Sequence, residues 1–139
     1  MAHAVFMDPR FTFNAVDLSD HITDEGLGVS TTPVEDVAGG DTFVAYMAGL
    51  RKFGGTISGY QDYAASEVDA TIFAAWLARS AVAITMGPDK TAAISTGNPE
   101  YQFTAFVAEY QPMQGRIGEA SKFSLTLSPT TDLTRDVTP

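Results

Sequence analysis

Hydrophobic and polar positions alternate over short runs along most of the chain, and this period of two predicts strands. In "RFTFNAVDLSDHIT", Phe11 and Phe13 alternate with polar neighbours, as do Val16 and Leu18, which predicts two short strands around a turn at Asn14-Ala15. "GVSTTPVED" predicts another, with Pro33 at an edge or a strand end because proline cannot donate to a ladder. "GTISGYQDY" places small and hydroxyl residues at alternate positions, and "AVAITM" reads as a further short strand. The strongest pattern is "YQFTAFVAEYQP". Tyr101, Phe103, Ala105 and Val107 lie on one face and Phe106, Ala108 and Tyr110 on the other, so a central strand covered on both sides is expected. "SKFSLTLSP" has a dry face (Phe123, Leu125, Leu127) and a polar face (Lys122, Ser124, Thr126, Ser128).

Three segments break this pattern. "YQDYAASEVDATIF" opens the one substantial helix, expected from Ser66 to Ser80, roughly 22 Å at 1.5 Å per residue. Ser66 with Asp69 resembles a capping box, and Glu67 and Asp69 suit the positive end of the helix. Val68, Ile72, Phe73, Trp76 and Leu77 form a broad apolar side expected to brace the sheet, with Ala70, Ala74, Ala78 and Ala81 opposite. That alanine side reflects either helix propensity or close approach by a second partner. Val34 to Gly55 has glycine pairs at both ends and no clean period, and reads as a long loop. It carries Phe43, Tyr46, Met47 and Leu50, which a solvated loop rarely holds, so it is expected to pack on its own domain or on another subunit. The last stretch, "TTDLTRDVTP", has no core pattern and is expected to be flexible or to dock on a neighbour. The sum is seven or eight short strands and one helix in a single domain over 1–139. The expected fold class is mainly β, a β-sandwich or partly closed barrel with one flanking α-helix.

Composition narrows the function more than it narrows the fold. Seventeen acidic residues face eight basic ones, a net charge of −9, which repels a phosphate backbone and argues against ordinary nucleic-acid binding. The acids either keep the protein soluble or let it meet DNA without sticking. The absence of cysteine excludes disulfides and thiolate metal sites. No secretory signal or membrane-spanning run is visible, so synthesis in a reducing cytoplasm is expected.

No catalytic constellation emerges. "DLSDHITDE" gathers Asp17, Ser19, Asp20, His21, Asp24 and Glu25, but it lacks a second histidine and calcium-loop spacing, so a solvated turn without metal is expected. Ser19 and His21 come without a nucleophile elbow, "AGG" and "FGG" without the phosphate-loop lysine and serine. Glu109 and Glu119 have nothing to pair them. Tyr60, Tyr63, Tyr101 and Tyr110 are expected in the core or an interface rather than stacking on ligands. No catalytic residue, cofactor or metal ligand is assigned.

Read in order, "FNAVDLSDHIT", "VEDVAGGDT", "AGLRKFGGTISGYQDYAASEVDATIF" and "NPEYQFTAFVAEYQPMQGRIGEASKFSLTL" resemble the major tail proteins, or tail tube proteins, of long-tailed bacteriophages, particularly those infecting actinobacteria. The resemblance covers Phe11 to Leu127 and lies in whole-chain texture rather than in one motif. It departs in "GGTISGYQDY", which is richer in glycine, and in "FAAWLARSAVAITM", which is richer in alanine.

The resemblance implies a structural virion protein, with no enzyme activity, assembled in the host cytoplasm. Six copies would form a ring, and rings would stack into a hollow tube that conducts DNA without binding it specifically. Its partners would be copies of itself, the tape-measure protein and the tail-terminator and tip proteins, with no membrane. The loop with Asp36, Asp41, Phe43, Tyr46, Met47, Leu50, Arg51 and Lys52 would reach the next ring, and Met1 to Arg10 and Thr130 to Pro139 would contribute to stacking. Thr56, Ser58, Ser124 and Thr126 would suit a wet lumen. Six copies of a −9 chain carry −54, which would let DNA slide. Rival readings are another β-rich virion component, such as a capsid decoration or tail completion protein, and a soluble β-sandwich binding module.

Overall fold

A computed structural model describes residues 8–139. Residues 1–7, which hold most of the stacking segment Met1 to Arg10, lie outside the described residues. Strands β1 (Arg10–Phe13) and β2 (Val16–Asp17) meet at Asn14-Ala15, with φ of +50° and +67°. Two successive positive φ angles give the turn whose twist suits a hairpin, so the expected turn is present. A 3₁₀ turn (Ser19–His21) leads into β3 (Ile22–Asp36), which pairs along its length with β4 (Ala45–Tyr60). Helix α1 (Val68–Ala78) follows, then β5 (Val82–Gly87), β6 (Glu100–Gln114), β7 (Lys122–Pro129) and β8 (Thr134–Asp136).

The strands form one antiparallel sheet in the order β2-β1-β5-β6-β7-β4-β3, with β8 added beside the start of β6. The sheet does not close, but it curls. A Cβ built on Gly55 of β4 would lie 3.6 Å from Sδ of Met86 on β5. Those strands stand three places apart, about 14 Å in a flat sheet. Phe53 of β4 likewise meets Phe103 of β6 edge to face, with ring centroids 5.2 Å apart. The partly closed form of the expected fold is therefore the one adopted.

The curl encloses a single dry face. Cross-strand pairs carry it from Phe11–Met86 and Phe13–Ile84 through Ile84–Phe103 and Val107–Leu127 to Leu125–Ile57, all buried. Each such side chain contributes roughly 1.5–3 kcal/mol by leaving water. The dry face of β7, with Phe123, Leu125 and Leu127, is as its alternation predicts. Pro33 sits on edge strand β3 beside a register shift, as a residue without an N–H must.

The helix is placed as expected but turned differently. It is shorter than Ser66 to Ser80, because Ser66 has φ +64° and Arg79 takes the left-handed conformation that ends it. The capping box does not form, since Glu67 is the N-cap and makes no side-chain cap bond. Val68, Ile72 and Ala75 face the core. Phe73, Trp76 and Leu77 do not brace the sheet. They stand in solvent, Leu77 at 66% exposure, with Phe73 and Trp76 rings 5.5 Å apart. Residues turn by about 100° each, so the stripe through positions 68, 72 and 75 sends Phe73 and Leu77 to the far side. The helix is apolar all round, and periodicity alone could not choose its buried face.

Three further expectations are corrected. Val34 to Gly55 is not a loop: residues 34–36 end β3, 45–55 belong to β4, and only 37–44 connect them. Strand β6 is central, yet Phe106 and Ala108 lie exposed, so among the described residues it is covered on one side only. The C-terminal segment docks on its own sheet, with Arg135 opposite Tyr101 and Leu133 packed against the core. A three-residue strand is too short to write a period.

Candidate assembly surfaces

The β3–β4 hairpin outgrows the sheet. β4 pairs with β7 only from Gly55 to Tyr60, so beyond Gly54 the two strands pair with each other alone. The stretch from Val29–Phe53 to Asp36–Ala45 is eight residues of β3, about 25 Å at 3.3 Å per residue. Asp41 closes its tip, accepting the Ala38 N–H at 2.7 Å on its carboxylate. Gly49 lies at a register shift, where a Cβ would fall 2.6 Å from the Thr32 carbonyl oxygen, so only glycine fits. Phe43, Tyr46, Met47 and Leu50 are exposed, Phe43 at 87% and Leu50 at 85%. Asp36, Arg51 and Lys52 are exposed beside them, Arg51 opposite Thr31 and Lys52 opposite Ser30. An isolated two-stranded hairpin is marginal in water, and among the described residues no third strand pairs with this one. The residues singled out in the sequence thus share one projecting arm.

The small hydroxyl residues are also brought together. Thr56 stands opposite Thr126, and Ser58 opposite Ser124. Register carries both pairs outward, giving a row Gly26–Thr56–Thr126–Glu109 and a row Asp24–Ser58–Ser124–Gln111 across β3, β4, β7 and β6. Both rows lie on the face away from the core, and their only charged members are the acids Asp24 and Glu109. These two and Gln111 were missed in the sequence because bulges between Ile22 and Asp24 and between Val107 and Glu109 shift the alternation. Glu119 is not in these rows, so Glu109 and Glu119 do not form a pair within them.

A third surface joins helix and sheet. Trp76, Leu77, Arg79 and Phe106 line an apolar groove of about 460 Å³. Glu25, Leu27, Met86, Pro99, Tyr101 and Leu133 line a separate cleft of about 570 Å³. Neither carboxylate oxygen of Glu25 has a hydrogen-bond partner among the described residues, and burial pushes its carboxyl up to about 8. Ser19 is a structural residue: its hydroxyl accepts the Phe11 N–H at 2.9 Å and pairs with the Asp17 carboxylate. Tyr110 is bound into the fold, donating to Asp69 at 2.9 Å from its hydroxyl, and Tyr63 donates to the Pro112 carbonyl at 3.0 Å. Among the described residues no helix is long and apolar enough to cross a membrane.

A curled open sheet with one polar face, a flanking helix and a projecting apolar arm defines a mainly β protein with exposed apolar surfaces. Residues 12–138 match the phage tail tube protein family, and the chain belongs to it. In fold it is similar to the SPP1 tail tube, with a TM-score of 0.76 at 9% identity over 97% of this chain and 80% of that one. It is similar to a chain of the native gene transfer agent virion, with a TM-score of 0.73 at 7% identity over 93% and 95%. It is also similar to the tail of an empty gene transfer agent particle of C6 symmetry, with a TM-score of 0.68 at 9% identity over 84% and 82%. No curated protein sequence matches the chain. The protein is thus a structural component of a phage tail tube, located in the virion tail. None of these comparisons bears on an actinobacterial host.

Proposed function

We propose that six copies form a ring, that rings stack into a hollow tube, and that the hairpin arm carries the contact from ring to ring. The observation that carries this reading is the arm itself. Its large apolar side chains have no cover among the described residues, and exposed apolar surface of this extent marks an interaction site. Asp36, Asp41, Arg51 and Lys52 rim the apolar residues and would fix register between neighbours. The two polar rows line the lumen in this reading. They offer hydroxyls and carboxylates, with Lys122 two residues along β7 on the same face, so a passing phosphate backbone meets little positive charge. The C6 tail among the similar folds supports six-fold rings. The tape-measure protein inside the tube and terminator and tip proteins at its ends are the further partners, and no enzyme activity is assigned.

Negative-stain microscopy of the purified chain, concentrated stepwise and compared with Tyr46→Asp, tests the reading. Tubes or stacked rings from the wild type and dispersed particles from the variant are expected. Tubes of normal length from the variant would remove the arm from the ring-to-ring contact.

A further inference from the structure

We infer that His21, Asp62 and Glu67 form a binding site for a divalent transition-metal ion, zinc above all, at the junction between sheet and helix. The three come from separate segments: the end of the 3₁₀ turn, the connection after β4, and the N-cap of α1. Nε2 of His21 lies 3.2 Å from Oε2 of Glu67 and 3.9 Å from Oδ2 of Asp62, and one ligand atom of each residue falls within 4.8 Å of the others. An ion held at about 2.1 Å by three donors asks for donor separations near ~3.4 Å. The carboxylates need draw in by only about an ångström, within the reach of side-chain rotation.

The surroundings favour a cation. Glu67 occupies the N-cap yet makes no cap bond, and its carboxylate is turned to His21 instead. Asp62 accepts the Ala64 N–H at 2.9 Å on Oδ1, which holds the carboxylate and leaves Oδ2 toward the imidazole. Such outer bonds orient metal ligands. The ion pairs of the described residues give Asp62 and Glu67 no lysine or arginine, since Lys90 pairs with Asp8 and Asp20 and Arg10 with Glu100. Two carboxylates therefore share one imidazole. An imidazole nitrogen with two carboxylate oxygens selects zinc, cobalt or nickel over calcium and magnesium, which prefer oxygen alone. Three protein ligands leave a fourth position for water or for a group from a neighbouring copy. An ion here would tie the start of α1 to the segment entering β3, so it would stabilise the folded chain in proportion to its affinity.

The test is calorimetric titration of zinc chloride into tag-free full-length protein stripped with a chelator, alongside the thermal midpoint with and without zinc. One zinc per chain and a raised midpoint are expected for the wild type, with calcium giving neither. Asp62→Asn and Glu67→Gln keep side-chain size and should each weaken binding at least about tenfold, while His21→Ala should abolish it. Should a variant fail to fold, the wild type loaded with cobalt still decides, because tetrahedral coordination gives visible absorption bands that an ion adsorbed on surface carboxylates lacks. Absence of zinc binding, undiminished binding in His21→Ala, or a cobalt spectrum of a hydrated ion would each overturn the site.

Discussion

Thr56 on β4 stands directly opposite Thr126 on β7, and the register extends that pair to Gly26 on one side and Glu109 on the other. Four strands thereby present one row with no cation. Thr126→Lys would place an ammonium in that row while leaving the core untouched. Stability should stay within about 0.5 kcal/mol, as for surface changes generally. Tubes should form, and DNA delivery should slow and become dependent on salt. Genome release from virions carrying the variant, measured at two ionic strengths, checks this. Unaltered release would take the row out of the lumen.

Leu50 and Tyr46 test the arm separately from the fold. Both are exposed, so Leu50→Asp and Tyr46→Asp should leave the thermal midpoint of the monomer within a few degrees. Both should block polymerisation, because a carboxylate would be carried into an apolar contact. Sedimentation across a concentration series separates the two effects.

On the helix, Ile72→Ala opens a cavity at a fully buried position and should cost about 2–5 kcal/mol. Leu77→Ala removes an exposed side chain and should cost under about 1 kcal/mol. Denaturant midpoints of the two variants report which face of α1 is buried. Equal losses would contradict the orientation described.

Glu25 should make stability depend on pH. Burial raises its folded pKa from 4.5 to about 8, so between those values the folded chain keeps a proton that the unfolded chain has released. Stability from this group is full below pH 4.5 and falls as pH rises toward 8. Glu25→Gln should remove that fall and raise the thermal midpoint above pH 8. A thermal series from pH 5 to 9 on both proteins checks the sign.

Gly59 is held by sterics. A Cβ there would lie 2.0 Å from the His21 carbonyl oxygen, and backbone on both sides leaves no room to yield. Gly59→Ala should destabilise by more than about 1 kcal/mol, or prevent folding, while Gly28→Ala, with open space around it, should be mild. Expression level and thermal midpoint distinguish them.

Much of the sheet was legible where burial wrote a period of two. The Asn14-Ala15 turn and the dry face of β7 follow from turn chemistry and alternation, whereas the central place expected for β6 rested on two apolar faces, of which one is exposed. The hydroxyl rows were half legible, since Thr56, Ser58, Ser124 and Thr126 alternate cleanly but their partners lie beyond bulges. The arm was legible as an apolar anomaly and illegible as strands. It has no dry face among the described residues, its glycine pairs mimic turns, and the shift at Gly49 breaks its period. The buried side of α1 was hidden because the helix is apolar all round, with alanines opposite its large residues. His21, Asp62 and Glu67 converge only through tertiary structure, and spacing of 41 and 5 residues carries no ligand signature.

The most direct measurement is cryo-electron microscopy of tails from purified virions, refined far enough to trace side chains. Six-fold rings are expected, with Phe43, Tyr46 and Leu50 seated on the adjacent ring and the Thr56–Thr126 row facing the channel. An arm folded within its own ring, or hydroxyl rows on the outer surface, would contradict the proposed assembly.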